Sequence, residues 1–595
     1  MNYRLTEPHI SQLEETSLQT APQPAFSWLT GEVALYGLLV IISAGLRLAN
    51  LGGYPLNDAE AGQALAALAV FHGSAPAEAA NYSPLQVSLT SLFFLLFGPA
   101  DASARLGSVV LGVSLVLLPA GLRRQLGRPG ALLASTLFAF SASGLFWSRL
   151  AAGEMAAAVG ALLILVGLVQ GLEGRAKVGL WLIVSGLVLL LLSAPAGFTA
   201  LVIFLVMAAL ATLTNREALS TAQAQVVRAG VTLGQVALVG AGLLVVLGSA
   251  ALFNLTGLAA VSGMFDAWLS QFGLVGQPGA GYPALLMLFF YEPVIVLFGL
   301  IGLVNSFKRQ RLFDWALVFW LGLAIILDLF MGGRRSGQML LALIPLTLLA
   351  GQSIGRLLEQ LFSKGRWEAE GLLIGFGLIL GGFTYITLTS WARCLPDQPG
   401  CDTAWVLPTA GLALLAALFA IFWGWYGLGV AWRGCGALLL IALSLFSIGA
   451  SWRLNYGPLK NLPFQPMLSQ PASTRLLTLL EDLSRLSAER TGDPRQLDLA
   501  VVDLNRPMLR WHLREFARAR FVANFAAAGG APVIVASAGA GQPLEGGYAG
   551  QDLALINHWA PNVLEGKYWA RWYLFRFLPN HIPGSDQIIL WVKQE

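Results

Sequence analysis

Apolar runs of about 18 to 22 residues recur along most of this chain, and Lys/Arg clusters fall beside alternate ends of them. A helix needs about 20 apolar residues to cross the ~30 Å hydrocarbon core of a bilayer, so each run reads as a span. Basic residues concentrate on the cytoplasmic side of such spans, so the clusters give the direction of threading. Composition agrees: of 595 residues 56% are hydrophobic and 11% charged, against about 25% charged in soluble domains. The sequence therefore predicts a mostly α, polytopic membrane protein. A net charge of +4 is too small to imply nucleic acid as a partner.

Spans are expected at about 29–49, 101–121, 130–148, 154–172, 178–193, 196–213, 229–253, 283–304, 312–331, 337–355, 371–390, 405–426 and 435–452, about thirteen in all. The apolar stretch from Pro84 to Phe97 is too short to cross and reads as a helix at the interface. Counting it as a span would turn every later basic cluster (Arg123, Arg124 and Arg128; Lys308, Arg309 and Arg311) to the wrong side. Residues 1–28 are polar, lack the basic start and apolar core of a cleaved signal, and read as a cytoplasmic tail. Residues 29–452 form the membrane domain, with interfacial helices at about 57–97, and 453–595 an extracytoplasmic soluble α/β domain. In that last part Leu497–Asp503, Phe521–Phe525, Pro532–Ser537 and Ile588–Val592 read as strands, and 473–483 and 507–516 as helices. The expected setting is the cell membrane, N-terminus inside and C-terminal domain outside. Cys394 and Cys401 share one short outer loop, as a disulfide or as two free thiols.

Charged groups are rare enough here to be informative. After the first span the chain runs Gly52-Gly53-Tyr54-Pro55-Leu56-Asn57-Asp58-Ala59-Glu60, so two carboxylates stand at its mouth. Asn57 is a plausible N-cap, and carboxylates in a first helical turn also suit the helix dipole, which is their structural explanation. Arg105 opens the second span. Arg149 and Glu154 stand at the turn between the third and fourth, where headgroup anchoring is the plainer account of Arg149. Arg334 and Arg335 follow the ninth span, with Asp328 two turns earlier as a partner for either. Glu292 falls inside the eighth span, where an ionisable group is costly and either functional or paired with an arginine.

Taken together these residues resemble the GT-C membrane glycosyltransferases, nearest to the protein mannosyltransferase-like (family 39) and aminoarabinose transferase branches. The resemblance rests on the acidic first outer loop, Arg105-Leu106-Gly107-Ser108 opening the second span, and Ser148-Arg149 followed by Glu154. The segment Gln338-Met339-Leu340-Leu341-Ala342-Leu343-Ile344-Pro345-Leu346 is similar to the helix of the family's second lipid site. Trp511-His512-Leu513-Arg514 is similar to a stretch of some members' C-terminal domains. The usual adjacent Asp-Glu pair appears as Asp58-Ala59-Glu60, and Asn81-Tyr82-Ser83-Pro84 stands where a lysine or histidine is common. The Trp-Trp-Asp motif of oligosaccharyltransferase catalytic subunits is absent, which argues against en bloc glycan transfer.

The resemblance implies transfer of a sugar from a polyprenyl-phosphate donor to a protein, lipid or glycan hydroxyl at the outer membrane face. On that reading Asp58 is the expected base, Glu60 second to it, and Glu154 orients the acceptor or holds a divalent cation such as Mg or Mn. Arg334 and Arg335, supported by Arg105, Arg149, Glu292 and Tyr82, would bind the lipid phosphate, whose charge grows as it leaves. A lipid-linked-sugar flippase is the alternative. Against it, the sequence shows no clear repeat, and its charges gather at one face instead of the midplane. A membrane scaffold would account for the C-terminal domain but not for the acidic loop.

Overall fold

The first apolar run folds as α1 (Gly31–Leu48), and Thr30 caps its start by accepting the Val33 N–H. In this computed structural model the residues described are 30–76, 82–214, 224, 227, 230–274, 283–332, 336–364, 367–394, 401, 403–458, 465–467, 473–543, 546–558, 566–576 and 584–594. The chain turns after α1 and enters α2 (Asp58–Phe71) through a capping box. The Asn57 side chain accepts the Ala59 and Glu60 N–H groups while the Glu60 carboxylate reaches back to the Asn57 N–H. Ser83 caps α3 (Pro84–Phe97), with Pro84 at the first position, where its missing N–H costs nothing. Then follow α4 (Asp101–Leu117), continued by short helical turns to Leu126, and α5 (Arg128–Phe140) with α6 (Ala142–Ser148), bent by 58° at Ser141.

Next come α7 (Glu154–Leu172), α8 (Ala176–Leu192), α9 (Pro195–Thr214), α10 (Leu233–Gly248) and α11 (Thr256–Ser270). The helices α12 (Ala284–Tyr291) and α13 (Pro293–Arg309) meet at 114°, because Pro293 cannot continue the ladder of the helix before it. The membrane part closes with α14 (Leu312–Phe330), α15 (Met339–Lys364), α16 (Trp367–Arg393), α17 (Val406–Tyr426) and α18 (Leu428–Tyr456). Among the described residues nine helices are long and apolar enough to cross a membrane, or up to eleven if each bent pair is one span. The runs expected at 178–193 and 229–253 fold as α8 and α10, at 17 and 16 residues just under the length required of a span. The molecule is thus a multi-pass membrane protein. Its most buried helix, α15, runs through the middle of the bundle, with α5, α13 and α14 packed on it. Cys394 and Cys401 are joined by a disulfide at the end of α16.

The C-terminal part holds α19 (Thr474–Thr491), β1 (Leu499–Val502), α20 (Pro507–His512), β2 (Ala519–Val522), β3 (Val533–Ser537), β4 (Tyr548–His558), α21 (Gly566–Phe575) and β5 (Gly584–Lys593). The strand order is β2-β1-β3-β5-β4. Val501 of β1 lies level with Phe521 and Val535 in parallel pairing, and Val535 faces Leu590 of β5 in antiparallel pairing. The strand runs read in the sequence recur as β1, β2, β3 and β5. The strand β4 was not expected there, since Gly550, Gln551 and Asp552 break its apolar pattern. The helix read at 507–516 stops at His512, where the next residues turn back and Arg514 donates to the Trp511 carbonyl.

This domain does not keep its core to itself. Leu499, Val501, Leu509, Trp511 and Val535 share one buried cluster with Leu56, Ala61, Ala67 and Phe94 of the first loop, α2 and α3. The Phe94 and Trp511 rings stack at 5.7 Å. The fold thereby fixes the first loop from both sides: membrane helices on one, the sheet domain on the other.

Candidate active site

Glu60 is 2% exposed and its lone pairs are all engaged. Arg105 grips it side-on, Nε to Oε1 at 2.7 Å and Nη2 to Oε2 at 2.8 Å. The Ala151 N–H donates to Oε1 at 2.9 Å, and Asn57 donates to Oε2 through Nδ2 at 3.0 Å. Arg105 uses its remaining donors on the Leu51 and Tyr54 carbonyls at 2.8 and 2.9 Å. Bidentate, charge-assisted bonds of this kind are the strong ones. The pair ties the first loop, α4 and the turn after α6 into one piece, with no donor left over on Glu60 or Arg105 for a phosphate.

Asp58, two residues earlier, points the other way. Its Oδ1 accepts the Met508 N–H at 3.0 Å and its Oδ2 accepts Arg506 Nη1 at 3.0 Å, so it caps the N-terminus of α20 in the other domain. Arg506 also donates to Asp586 at 2.6 Å. Nearby, Trp511 Nε1 donates to Asp101 at 2.7 Å and Arg514 to the Pro99 carbonyl at 3.1 Å. His512 Nε2 lies 3.4 Å from the Leu56 carbonyl. Burial holds the His512 pKa below the usual histidine value, with the Arg514 and Arg105 charges acting in the same direction and Asp101 and the Leu56 carbonyl opposing.

Arg149 closes the C-terminal end of α1. Its Nη1 donates to the Leu46, Arg47 and Ala49 carbonyls at 3.0, 3.1 and 2.7 Å, and its guanidinium lies 4.7 Å over the Tyr456 ring. Tyr82 is buried, its hydroxyl accepting from Asn254 Nδ2 at 3.2 Å. Glu292 stands at the α12–α13 bend, where Oε1 accepts from Ser141 Oγ at 2.6 Å and the Ser143 N–H at 2.7 Å. It thus joins the two bent pairs of the bundle. Asp328 accepts the Ala284 N–H at 2.7 Å.

Glu154 is placed differently from the other carboxylates. It opens α7 after Gly153, and the backbone at Gly337 lies directly on its side chain: a Cβ at Gly337 would stand 2.3 Å from Glu154 Cγ. Only glycine fits there. Gly153 is as tightly enclosed, its Cβ position being 2.7 Å from Ser83 Oγ and 2.8 Å from the Ala194 nitrogen. So the starts of α3, α7, α9 and α15 converge at one spot. Beside it Gln338 Nε2 donates to Gln271 Oε1 at 3.2 Å, and Gln338 Oε1 is buried without a partner among the described residues. Arg334 and Arg335, three and two residues before Gly337, lie outside the described residues. Among the described residues no group of three His, Cys, Asp or Glu side chains could hold a metal ion.

Of the residues singled out in the sequence, the structure joins Glu60 to Arg105 directly. Asp58 goes to the C-terminal domain, and Arg149 and Glu292 go to helix ends. Reading the sequence misses Arg506, Gly337, Arg47 and Arg576. Arg47 is wholly buried, its donors on Ser43 and the Phe138 carbonyl. A buried arginine in an apolar helix was the available signal for Arg47. Nothing in the sequence marks Arg506, 448 residues from Asp58.

No family model and no curated protein matches this sequence. Solved structures do. The chain superposes on ArnT from Cupriavidus metallidurans in the apo state with a TM-score of 0.51 at 14% identity, over 86% of this chain and 94% of that one. The same protein bound to undecaprenyl phosphate gives 0.50 at 14% identity, over 95% and 98%. The fold is that of the GT-C membrane glycosyltransferases. The likeness to ArnT runs along nearly the whole length of both chains, at an identity that carries the fold alone.

Proposed function

We propose that this chain transfers a sugar from a polyprenyl-phosphate donor to an acceptor hydroxyl on the face that bears the C-terminal domain, outside the cell membrane. The observation that supports this most is the seat of Glu154 against Gly337, at the convergence of four helix starts, with Arg334 and Arg335 three and two residues before Gly337 in the sequence. A carboxylate beside cations is what the reaction requires. The carboxylate takes the acceptor proton as the oxygen attacks the anomeric carbon. The cations hold the phosphate as its charge grows on leaving. Glu154 is therefore our choice for the base, with Arg334 and Arg335 for the lipid phosphate. Asp58 takes that role only when Arg506 lets go of it. Glu60, Arg105 and Arg149 hold the loop in shape around the donor, and Tyr82 and Glu292 brace the surrounding helices. A divalent cation, if the reaction uses one, would meet Glu154 first.

The test is turnover by the purified full chain given short-chain polyprenyl-phosphate sugars and a mixed pool of lipid and peptide acceptors. Wild type is expected to release polyprenyl phosphate, and Glu154→Gln to slow release by about 10²–10⁴-fold while leaving the unfolding temperature unchanged. Gly337→Ala, which pushes on the same carboxylate, should lower the rate without touching any charge. Equal rates for wild type and Glu154→Gln, with Asp58→Asn inactive, would return the base to the first loop. Leaflet exchange of the donor with no release would sink the transferase and leave the flippase.

A further inference from the structure

Three arginines converge on the C-terminal end of α21, far along the chain from the groups above. Arg393, in the last turn of α16, lays its guanidinium 4.8 Å over the Phe575 ring. Arg453, in the last turn of α18, donates to the Leu574 carbonyl. Arg576 follows the helix and is 1% exposed. Its Nη2 donates to the Phe290 carbonyl, while Nε and Nη1 are buried with no partner among the described residues. Among the described residues none of the three forms an ion pair with a carboxylate.

Aromatic rings surround Arg576: its guanidinium lies 4.7 Å from the centres of Tyr291 and Trp572 and 5.1 Å from Tyr573. Ring faces attract a cation, but they leave in-plane N–H donors unfilled. The end of a helix supplies roughly half a negative charge. That is too little for three guanidinium groups, and burying an uncompensated cation costs several kcal/mol. Burial lowers the Arg576 pKa, Tyr291 and Tyr573 oppose it, and the Arg453 charge adds to the lowering. Exposure grades from Arg393 at the surface, through half-buried Arg453, to buried Arg576. Donors therefore continue inward from a point that solvent and lipid reach.

The depth also matters. Arg393 and Arg453 sit in the last turns of two helices long and apolar enough to span, which is where headgroup phosphates lie. Trp569, Trp572 and Tyr573 of α21 pack on Phe290 at the same level, as aromatic rings do at a membrane boundary. We propose that Arg393, Arg453 and Arg576 form an anion site that takes a phosphate group, supplied by the headgroup of an anionic phospholipid, and that the bound lipid fastens α21 to the membrane domain. This site is separate from Glu154 and does not depend on the transferase reading.

The experiment is native mass spectrometry of the purified full chain, titrated with phosphatidylglycerol or phosphatidylcholine, with and without inorganic phosphate. Wild type should retain phosphatidylglycerol in preference to phosphatidylcholine. Arg393→Gln, an exposed change, should weaken that preference about tenfold, the loss of one charge-assisted bond. Arg576→Gln should do the same or more, and Arg576→Lys, which keeps the charge, should restore part of it even if the glutamine variant fails to fold. Displacement by inorganic phosphate at comparable concentration would keep the phosphate site but make free phosphate its source. Equal retention of both lipids by wild type, or a preference unchanged in Arg393→Gln and Arg576→Lys alike, would overturn the proposal.

Discussion

Where α20 meets α2, Arg105, Arg506 and Arg514 each touch a carboxylate; where α21 meets α16 and α18, Arg393, Arg453 and Arg576 touch none among the described residues. Both junctions join the C-terminal domain to the membrane domain, and both bury arginine. The first is complete in itself: charges matched, Trp511 stacked on Phe94, the loop clamped. The second holds more positive charge than the protein balances. The difference teaches that a junction can be closed either by the chain's own anions or by one taken from its surroundings, and the two respond differently to mutation.

The sharpest way to break the comparison is at Glu60. Glu60→Gln or Arg105→Met leaves one buried charge without its partner, a loss of about 3–5 kcal/mol. Thermal unfolding of the purified chain should show a large fall, or no folded protein at all. An unchanged midpoint would mean that the pair is not the clamp described. Next, Trp511→Phe keeps the stacking with Phe94 but loses the bond to the Asp101 carboxylate, about 1.5–3 kcal/mol. Hydrogen exchange over α20 should accelerate while the spans stay protected; uniform exchange throughout would show that the domain unfolds with the bundle.

Arg506→Ala removes a half-buried bridge between Asp58 and Asp586, which solvent screens to about 1 kcal/mol or less. Limited proteolysis should release the C-terminal domain slightly faster, and high salt should blunt the difference. At the other junction Arg453→Met should be neutral or stabilising in neutral detergent, opposite in sign to Arg105→Met, because the cation it removes meets the Leu574 carbonyl but no carboxylate among the described residues. A loss as large as that of Arg105→Met would erase the contrast.

The smallest expected effect is one of pH. His512 binds a proton less readily folded than unfolded, so its contribution is complete above the usual histidine pKa of about 6.5 and declines as the pH falls through the window below it. The fall in unfolding temperature between pH 7 and 5 should be shallower in His512→Gln than in wild type. Parallel curves would show that His512 is not linked to docking.

Much of this molecule is legible in its letters. Period and length of the apolar runs give the helices, since no other element satisfies its own backbone in lipid. Asn57 with Glu60 three residues on spells a capping box, and the sheet strands other than β4 follow from their β-branched runs. The partner of each carboxylate was less legible. Asp58, Glu60 and Glu154 carry the same group, and the sequence ranks the first two by position alone. Their fates depend on Arg105, Arg506 and Gly337, which lie 45, 448 and 183 residues from them.

What the sequence determined, then, was the element list and the face on which charge collects, because those follow from local periodicity and the cost of burying ionised groups. What the tertiary structure decided was which charge each carboxylate and arginine meets. Glu60 became a clamp, Asp58 a cap on another domain, Glu154 a side chain under a glycine, and Arg576 a cation inside aromatic rings. Electrostatic partnership falls off within a few ångströms, and separations along the chain do not report on distances that short.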